Sequence, residues 1–170
     1  MDHGVNGAVR NPAAVGSPQS RPRLVVGISG ASGVVYGVRL LDALRELDVE
    51  SHLVVTRAAL LTLSQETDLS PDDLTGRADV THRLTDVGAS IASGSFRTLG
   101  MIIAPCSVRT MTSLAEMGAI IAPPLPAFYS KPASIAEMVD QSVGRVLDLF
   151  GLDWSPVKRW DGLKGPAAKE

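Results

Sequence analysis

Arg23-Leu-Val-Val-Gly-Ile-Ser-Gly-Ala-Ser-Gly33 is the stretch that decides the fold. Leu24, Val25, Val26 and Ile28 form a short, nearly continuous apolar run bounded by glycine, the pattern of a strand buried on both faces, predicted here over Arg23 to Ser29. Beyond the glycines, Val34, Val35, Val38, Leu41, Leu44 and Leu47 recur at helical spacing and mark one buried stripe. A second strand, Ser51 to Thr56, follows at once. Strand, helix and strand of these lengths make a right-handed crossover unit, so the fold class is α/β with a parallel sheet covered by helices.

Working outward, Ala58 to Glu66 reads as helical, and Ser70 followed by Pro71, Asp72 and Asp73 combines a capping hydroxyl, an N1 proline and first-turn acids. Gly76 to Gly100, with its Gly88-Ala-Ser and Ser93-Gly-Ser pieces, reads as loops with short helical turns. Met101 to Ala104 and Ala119 to Ala122 are two further buried-strand runs, each ended by proline. Ser134 and Glu137 form a capping box ahead of a stripe of Ile135, Met138, Val139, Val143, Val146, Leu147 and Phe150, which predicts a long helix from Ile135 to about Phe150, ended at Gly151. Residues 1–22, rich in Gly, Pro, Asn, Ser and Ala, read as a disordered tail, 23–154 as the domain, and 155–170 as a C-terminal tail that docks only near Trp160.

The 170 residues suit one domain. A formal net charge of −2 with interspersed signs excludes a field suited to nucleic acid or an anionic membrane. No apolar run approaches the roughly 20 residues that cross a bilayer, and no secretion signal opens the chain, so a cytoplasmic protein is expected. Cys106 is the only cysteine, which leaves no intramolecular disulfide, no cysteine metal cluster and no expected metal.

Two segments carry candidate chemistry. In Gly27-Ile-Ser-Gly-Ala-Ser-Gly33 a strand turns into a helix through glycines, so the backbone can approach a ligand and the helix N-terminus can face an anion such as a phosphate. The spacing is G-x-x-G-x-x-G, and Thr56-Arg57 stands where a dinucleotide fold has an acid, which counts against NAD; no Gly-Lys-Ser/Thr follows, so it is no P-loop. FMN stays open, as does a tight turn whose glycines serve packing alone. In Ala104-Pro-Cys-Ser-Val-Arg-Thr110 a second strand empties at the same sheet edge; Ser107, Thr110 and the intervening N–H groups can hold a phosphate or ribityl chain and Arg109 a charge-assisted bond, or Ser107 can simply cap the next helix.

Val26-Gly-Ile-Ser-Gly-Ala-Ser-Gly-Val-Val-Tyr-Gly-Val-Arg-Leu-Leu41, Ala78-Asp-Val-Thr-His82, Ser90-Ile-Ala-Ser-Gly-Ser-Phe96, Ala104-Pro-Cys-Ser107 and Pro123-Pro-Leu-Pro-Ala-Phe-Tyr129 together resemble the flavin prenyltransferase family, in order, from about Arg23 to Trp160. The resemblance implies a Rossmann-like, three-layer flavoprotein that joins a dimethylallyl group from dimethylallyl phosphate to FMN. The prenylated flavin would then serve a partner decarboxylase of ubiquinone-type or aromatic-acid metabolism. It implies flavin contacts at Gly30, Ala31 and Ser32, at Thr56, and at Ser107, Val108, Arg109 and Thr110, with Ser32 as the catalytic position retained. It further implies prenyl-phosphate contacts at Tyr129 and Arg145, and a homo-oligomer with flavin at subunit contacts. From the residues alone, Arg145 lies off the apolar stripe of its helix and reads as a solvated charge, and Tyr129 as an aromatic anchor.

The chain departs from that family after Thr110. The family continues into a helix, an Arg-Ala-Ala-Asp segment, a Lys-Glu-Arg-Arg stretch, a strand and an Arg-Glu-Thr-Pro loop, whereas here Met111-Thr-Ser-Leu-Ala-Glu-Met-Gly-Ala-Ile-Ile121 follows directly. Roughly forty residues, about one crossover unit, are missing by this comparison. An FMN-dependent decarboxylase of related fold and an inactive flavin-binding remnant are the competing readings.

Overall fold

The computed structural model describes residues 20–115 and 117–157. Its centre is a four-stranded sheet of order β3-β2-β1-β4, with β1 at Arg23–Ile28, β2 at Glu50–Val55, β3 at Val80–His82 and β4 at Met101–Ile103, all pairings parallel. The helices are α1 (Val34–Glu46), α2 (Arg57–Glu66), α3 (Pro71–Thr75), α4 (Val108–Ala115) and α5 (Ile135–Asp148).

Alternation along β1 sends Leu24, Val26 and Ile28 to one face, where they are almost fully buried with Leu53 of β2 and Ile102 of β4. On that face α1 lies across β1 and β2, burying Val34, Val38, Leu41 and Leu44, and α5 packs on α1 through Val139, Val143 and Leu147. α1 approaches closely because Gly37 has no side chain: a Cβ there would stand 2.4 Å from the Ala104 carbonyl oxygen and 2.7 Å from Ile28 Cδ1. Trp154, beyond α5, is 2 % exposed and closes the same core, its indole N–H donating to Glu46 Oε2 at 2.7 Å and its ring lying under Arg39. Packing continues to Val157, which sits against Gly144; Trp160 and residues 1–19 lie outside the described residues.

Two sequence expectations need correction. β3 falls inside the stretch read as loops and short helical turns, and Val80, Thr81 and His82 are too exposed to have shown an apolar run. Tertiary partners make it a strand: it pairs with His52 to Val54, while Asp79 accepts from the Ser51 N–H and hydroxyl and from Arg21. The second correction concerns Ala119 to Ala122, which form no strand and stand exposed, with Ile120 at 73 %. A parallel strand exists only beside a neighbour, and β4 is the edge of the sheet, with nothing paired beyond it among the described residues. Among the described residues no helix is long and apolar enough to cross a membrane.

Candidate functional site

Three strands deliver their carboxyl ends to one edge of the sheet: β1 runs into Ser29 to Gly33, β2 into Thr56, and β4 into Ala104 to Thr110. In open α/β sheets this is the edge where ligands bind. The Thr56 N–H donates to the Ile28 carbonyl at 3.0 Å, and the Thr56 hydroxyl caps α2 by accepting from Ala59 N–H at 3.1 Å. Gly33 needs its glycine, because its φ of +97° is left-handed. Gly30 is glycine for a different reason: a Cβ there would meet Ala58 Cβ at 2.3 Å, so α2 already occupies the space beside the turn. Packing therefore accounts for Gly30 without a ligand.

The N-terminus of α1 is also filled from within the chain. Glu66, the last residue of α2, accepts from Gly33 N–H at 2.9 Å and from Val34 N–H at 2.9 Å. A hydrogen bond from the Ser32 side chain, then those two backbone bonds, hold its carboxyl below the usual range. The sequence reading missed Glu66, which lies 33 residues from the turn with only a helix C-terminus to mark it. An anion at the α1 N-terminus is thus supplied by the protein, in the place the sequence reading reserved for a phosphate. Because the folded value is depressed, this contribution to stability is present above the unfolded glutamate pKa of about 4.3 and fades as pH falls through the lower folded value. Glu66→Gln is expected to lower the urea midpoint at pH 7 and to leave it unchanged near pH 2; equal losses at both pH values would show that the charge is not the cause.

The second loop is tied to the first by Ser29, which is 5 % exposed. Its N–H and hydroxyl both donate to the Pro105 carbonyl, at 3.2 and 3.0 Å, and its hydroxyl oxygen accepts from Ser107 N–H at 2.6 Å. Ser107 does cap α4: its hydroxyl lies 2.9 Å from the Thr110 hydroxyl and 3.4 Å from Thr110 N–H, and its carbonyl accepts from Met111 N–H. The N–H groups of Val108 and Arg109 have no acceptor among the described residues, and the guanidinium groups of Arg57 and Arg109 have no carboxylate partner there. These donors, with the bare backbone of Gly30 to Ser32, are the groups on this edge open to a mononucleotide: two amides and two cations for the phosphate, and the turn for a flat ring. Cys106, its thiol pushed up by burial, offers no thiolate there.

Tyr129 and Arg145 are both exposed. Tyr129 is half exposed, at 53 %, in the short turn Phe128–Ser130. Arg145 is exposed on the side of α5 opposite Val139, Val143 and Leu147, without an ion-pair partner among the described residues. An open cavity of about 650 Å³ lies at the other end of the strands, lined by 20–23 and parts of 90–99. Unpaired donors gather instead at the carboxyl edge.

The Flavoprotein family pattern matches residues 13–117. The flavin prenyltransferase UbiX of Escherichia coli K12 is 42 % identical, the alignment covering 82 % of this chain and 98 % of that protein; the enzyme of the same name from Thauera aromatica is 41 % identical, with 82 % and 94 % covered. The Escherichia coli alignment runs over 186 positions, more than the 170 residues of this chain, so the relative has residues with no counterpart here. Among solved structures, AnUbiX (PadA1) in complex with FMN and dimethylallyl pyrophosphate superposes with a TM-score of 0.77 at 36 % identity, covering 85 % of this chain and all of that one. A dodecameric FMN-dependent UbiX-like decarboxylase from Escherichia coli O157:H7 gives 0.74 at 36 %, covering 83 % of this chain and all of that one. A glycine turn and a Pro-Cys-Ser loop delivered to one sheet edge, on a chain this similar to those enzymes over most of its length, make it a member of the flavin prenyltransferase family of flavoproteins.

Proposed function

We propose that this chain binds FMN at the carboxyl edge of its sheet and serves the transfer of a dimethylallyl group from an allylic phosphate ester to that flavin. The carrying observation is the convergence of Gly30 to Ser32, Thr56 and Ser107 to Thr110 at one edge, with unpaired donors at Val108, Arg109 and Arg57. When bound, FMN supplies the ring that accepts the prenyl group. The protein's part is to hold the flavin phosphate through those amides and guanidinium groups and to keep a Ser32 hydroxyl, aimed at the Glu66 carboxylate, beside the ring. The Glu66 carboxylate, accepting from that hydroxyl, fixes the direction in which it points.

Tyr129 and Arg145, both exposed, are read as contacts for the allylic phosphate, which in a homo-oligomer could be that of a neighbouring subunit's site. One relative is described as dodecameric. The donor is read as dimethylallyl phosphate, a relative having been crystallised with the pyrophosphate. The product would pass to a prenylated-FMN-dependent decarboxylase in the cytoplasm. The curated relatives carry the prenyltransferase name, which favours that reading over the decarboxylase one, although one solved relative is described as a decarboxylase.

We further infer that a strand-and-helix unit is missing directly after Thr110, between it and Met111. The excess length of the alignment, the uncovered edge of β4 and the unpaired run at Ala119 to Ala122 all support it. With that unit would go an arginine and a lysine able to stabilise the departing phosphate, so turnover should be slow. The test is fluorescence titration with FMN, then turnover with dimethylallyl phosphate, beside a chain carrying the segment from a relative. Binding by both chains with fast turnover only in the restored one is expected. Failure of both to bind FMN would end the reading.

A further inference from the structure

We infer that Ser29 is a positioning residue for the flavin cleft: its buried hydroxyl pins the β4–α4 loop to the glycine turn and so sets the separation of the two segments that would hold FMN. The inference rests on the proposed flavin site. The last backbone N–H that the β4 segment donates to a β1 carbonyl is that of Ala104, to Gly27 at 2.9 Å. The next residue along β4, Pro105, has no N–H to donate. Ser29 takes over at that point with every polar group it has. Its N–H and hydroxyl converge on the Pro105 carbonyl, its hydroxyl oxygen accepts the Ser107 N–H at 2.6 Å, and its own carbonyl accepts Ala31 N–H at 2.9 Å.

One residue therefore joins Ala31, in the first flavin segment, through its backbone carbonyl, to Ser107, at the start of the second, through its hydroxyl. The direction of α4, and with it the Val108 and Arg109 amides, depends on where Ser107 is held. Removing the hydroxyl leaves the Ser107 N–H without an acceptor in a poorly hydrated place, although Pro105 keeps its bond from the Ser29 N–H, so the loop loses its anchor while the sheet keeps its ladder. A merely structural serine would lower global stability; a positioning serine loosens one loop and weakens one ligand.

The experiment compares the full chain with Ser29→Ala and Ser29→Thr by amide hydrogen exchange and by FMN fluorescence titration. Ser29→Ala is expected to speed exchange across 105–111 at least tenfold while β1 and α1 stay protected, and to raise the Kd for FMN about tenfold, the effect of one lost buried hydrogen bond. Ser29→Thr, which keeps the hydroxyl, should recover most of both. Unchanged exchange at 105–111 in Ser29→Ala would overturn the inference, and so would wild-type FMN affinity in that variant. If the unaltered chain takes up no FMN, the functional reading fails while the exchange data still decide whether Ser29 pins the loop. Uniform loss of protection across the sheet, with no rescue by threonine, would assign Ser29 to stability alone.

Discussion

Trp154→Ala should lower the stability of the folded chain by about 3–5 kcal/mol, the range for removing a large aromatic from a core. The side chain is 2 % exposed and belongs to the core beneath α1 and α5. Its loss would leave a cavity and also strip partners from two charged groups: Glu46 Oε2 loses the indole N–H, and Arg39, held to Asp140 at 2.6 Å, loses the ring it stacks on at 4.8 Å. Against a total stability of about 5–15 kcal/mol this is a large fraction, with a fall in Tm on the order of 10 °C. Trp154→Phe keeps an apolar ring and a π-face for Arg39 but no donor for Glu46, and should lose roughly half as much. Thermal unfolding followed by circular dichroism checks both. A loss under about 1 kcal/mol for Trp154→Ala would mean that the segment after α5 does not complete the core.

Gly37→Val is the second large effect, and it reaches the site. In most helices replacing glycine gains up to about 1 kcal/mol of helix propensity with alanine and less with a β-branched residue. Here any Cβ would stand 2.4 Å from the Ala104 carbonyl oxygen and 2.7 Å from Ile28 Cδ1, and the first of these is backbone that cannot rotate away. Overpacking of this kind costs about 1–3 kcal/mol or more, so the clash wins over propensity. The relief open to the molecule is to move α1 off the end of β4, which carries Ala104 and the loop behind it. Gly37→Val should therefore lower Tm and weaken FMN binding together, by at least tenfold in Kd, whereas Gly37→Ala should show the same signs at smaller size. Gly94→Ala is the control: nothing lies within 4 Å of its added Cβ, so stability should change by no more than about 0.5 kcal/mol. Gly37→Val with unaltered flavin affinity would separate the packing of α1 from the shape of the cleft.

Local pattern made much of the molecule readable. β1, α1, β2, α2 and α5 lie within a residue or two of the predicted bounds, because each has an apolar period strong enough to signal its own burial. The Ser70 cap was legible for a similar reason: hydroxyl, proline and acids act within one turn, and the structure forms the capping box with Asp73. At the α5 start the match is looser. Ser134 accepts from Glu137 N–H, but Glu137 reaches back to Ala133 N–H rather than to Ser134. That the candidate segments meet at one edge was legible because the glycine turn and the Pro-Cys-Ser loop each follow a strand, and parallel strands bring their carboxyl ends together.

What the sequence by itself determined was the set of elements with their own hydrophobic period, the parallel order implied by a strand-helix-strand unit, and the family, since each is written in neighbouring residues. What only the tertiary structure decided was whatever depends on a partner distant in the chain. Val80 to His82 become a strand because β2 lies beside them, and Ala119 to Ala122 form none, no strand among the described residues pairing with the outer edge of β4. Gly30 is small because Ala58 fills its side, Glu66 occupies the α1 N-terminus from 32 residues beyond Val34, and Ser29 reaches 78 residues onward to hold Ser107. Strand pairing and buried hydrogen bonds are satisfied by whichever groups the fold brings within about 3 Å, and no local period records which groups those will be.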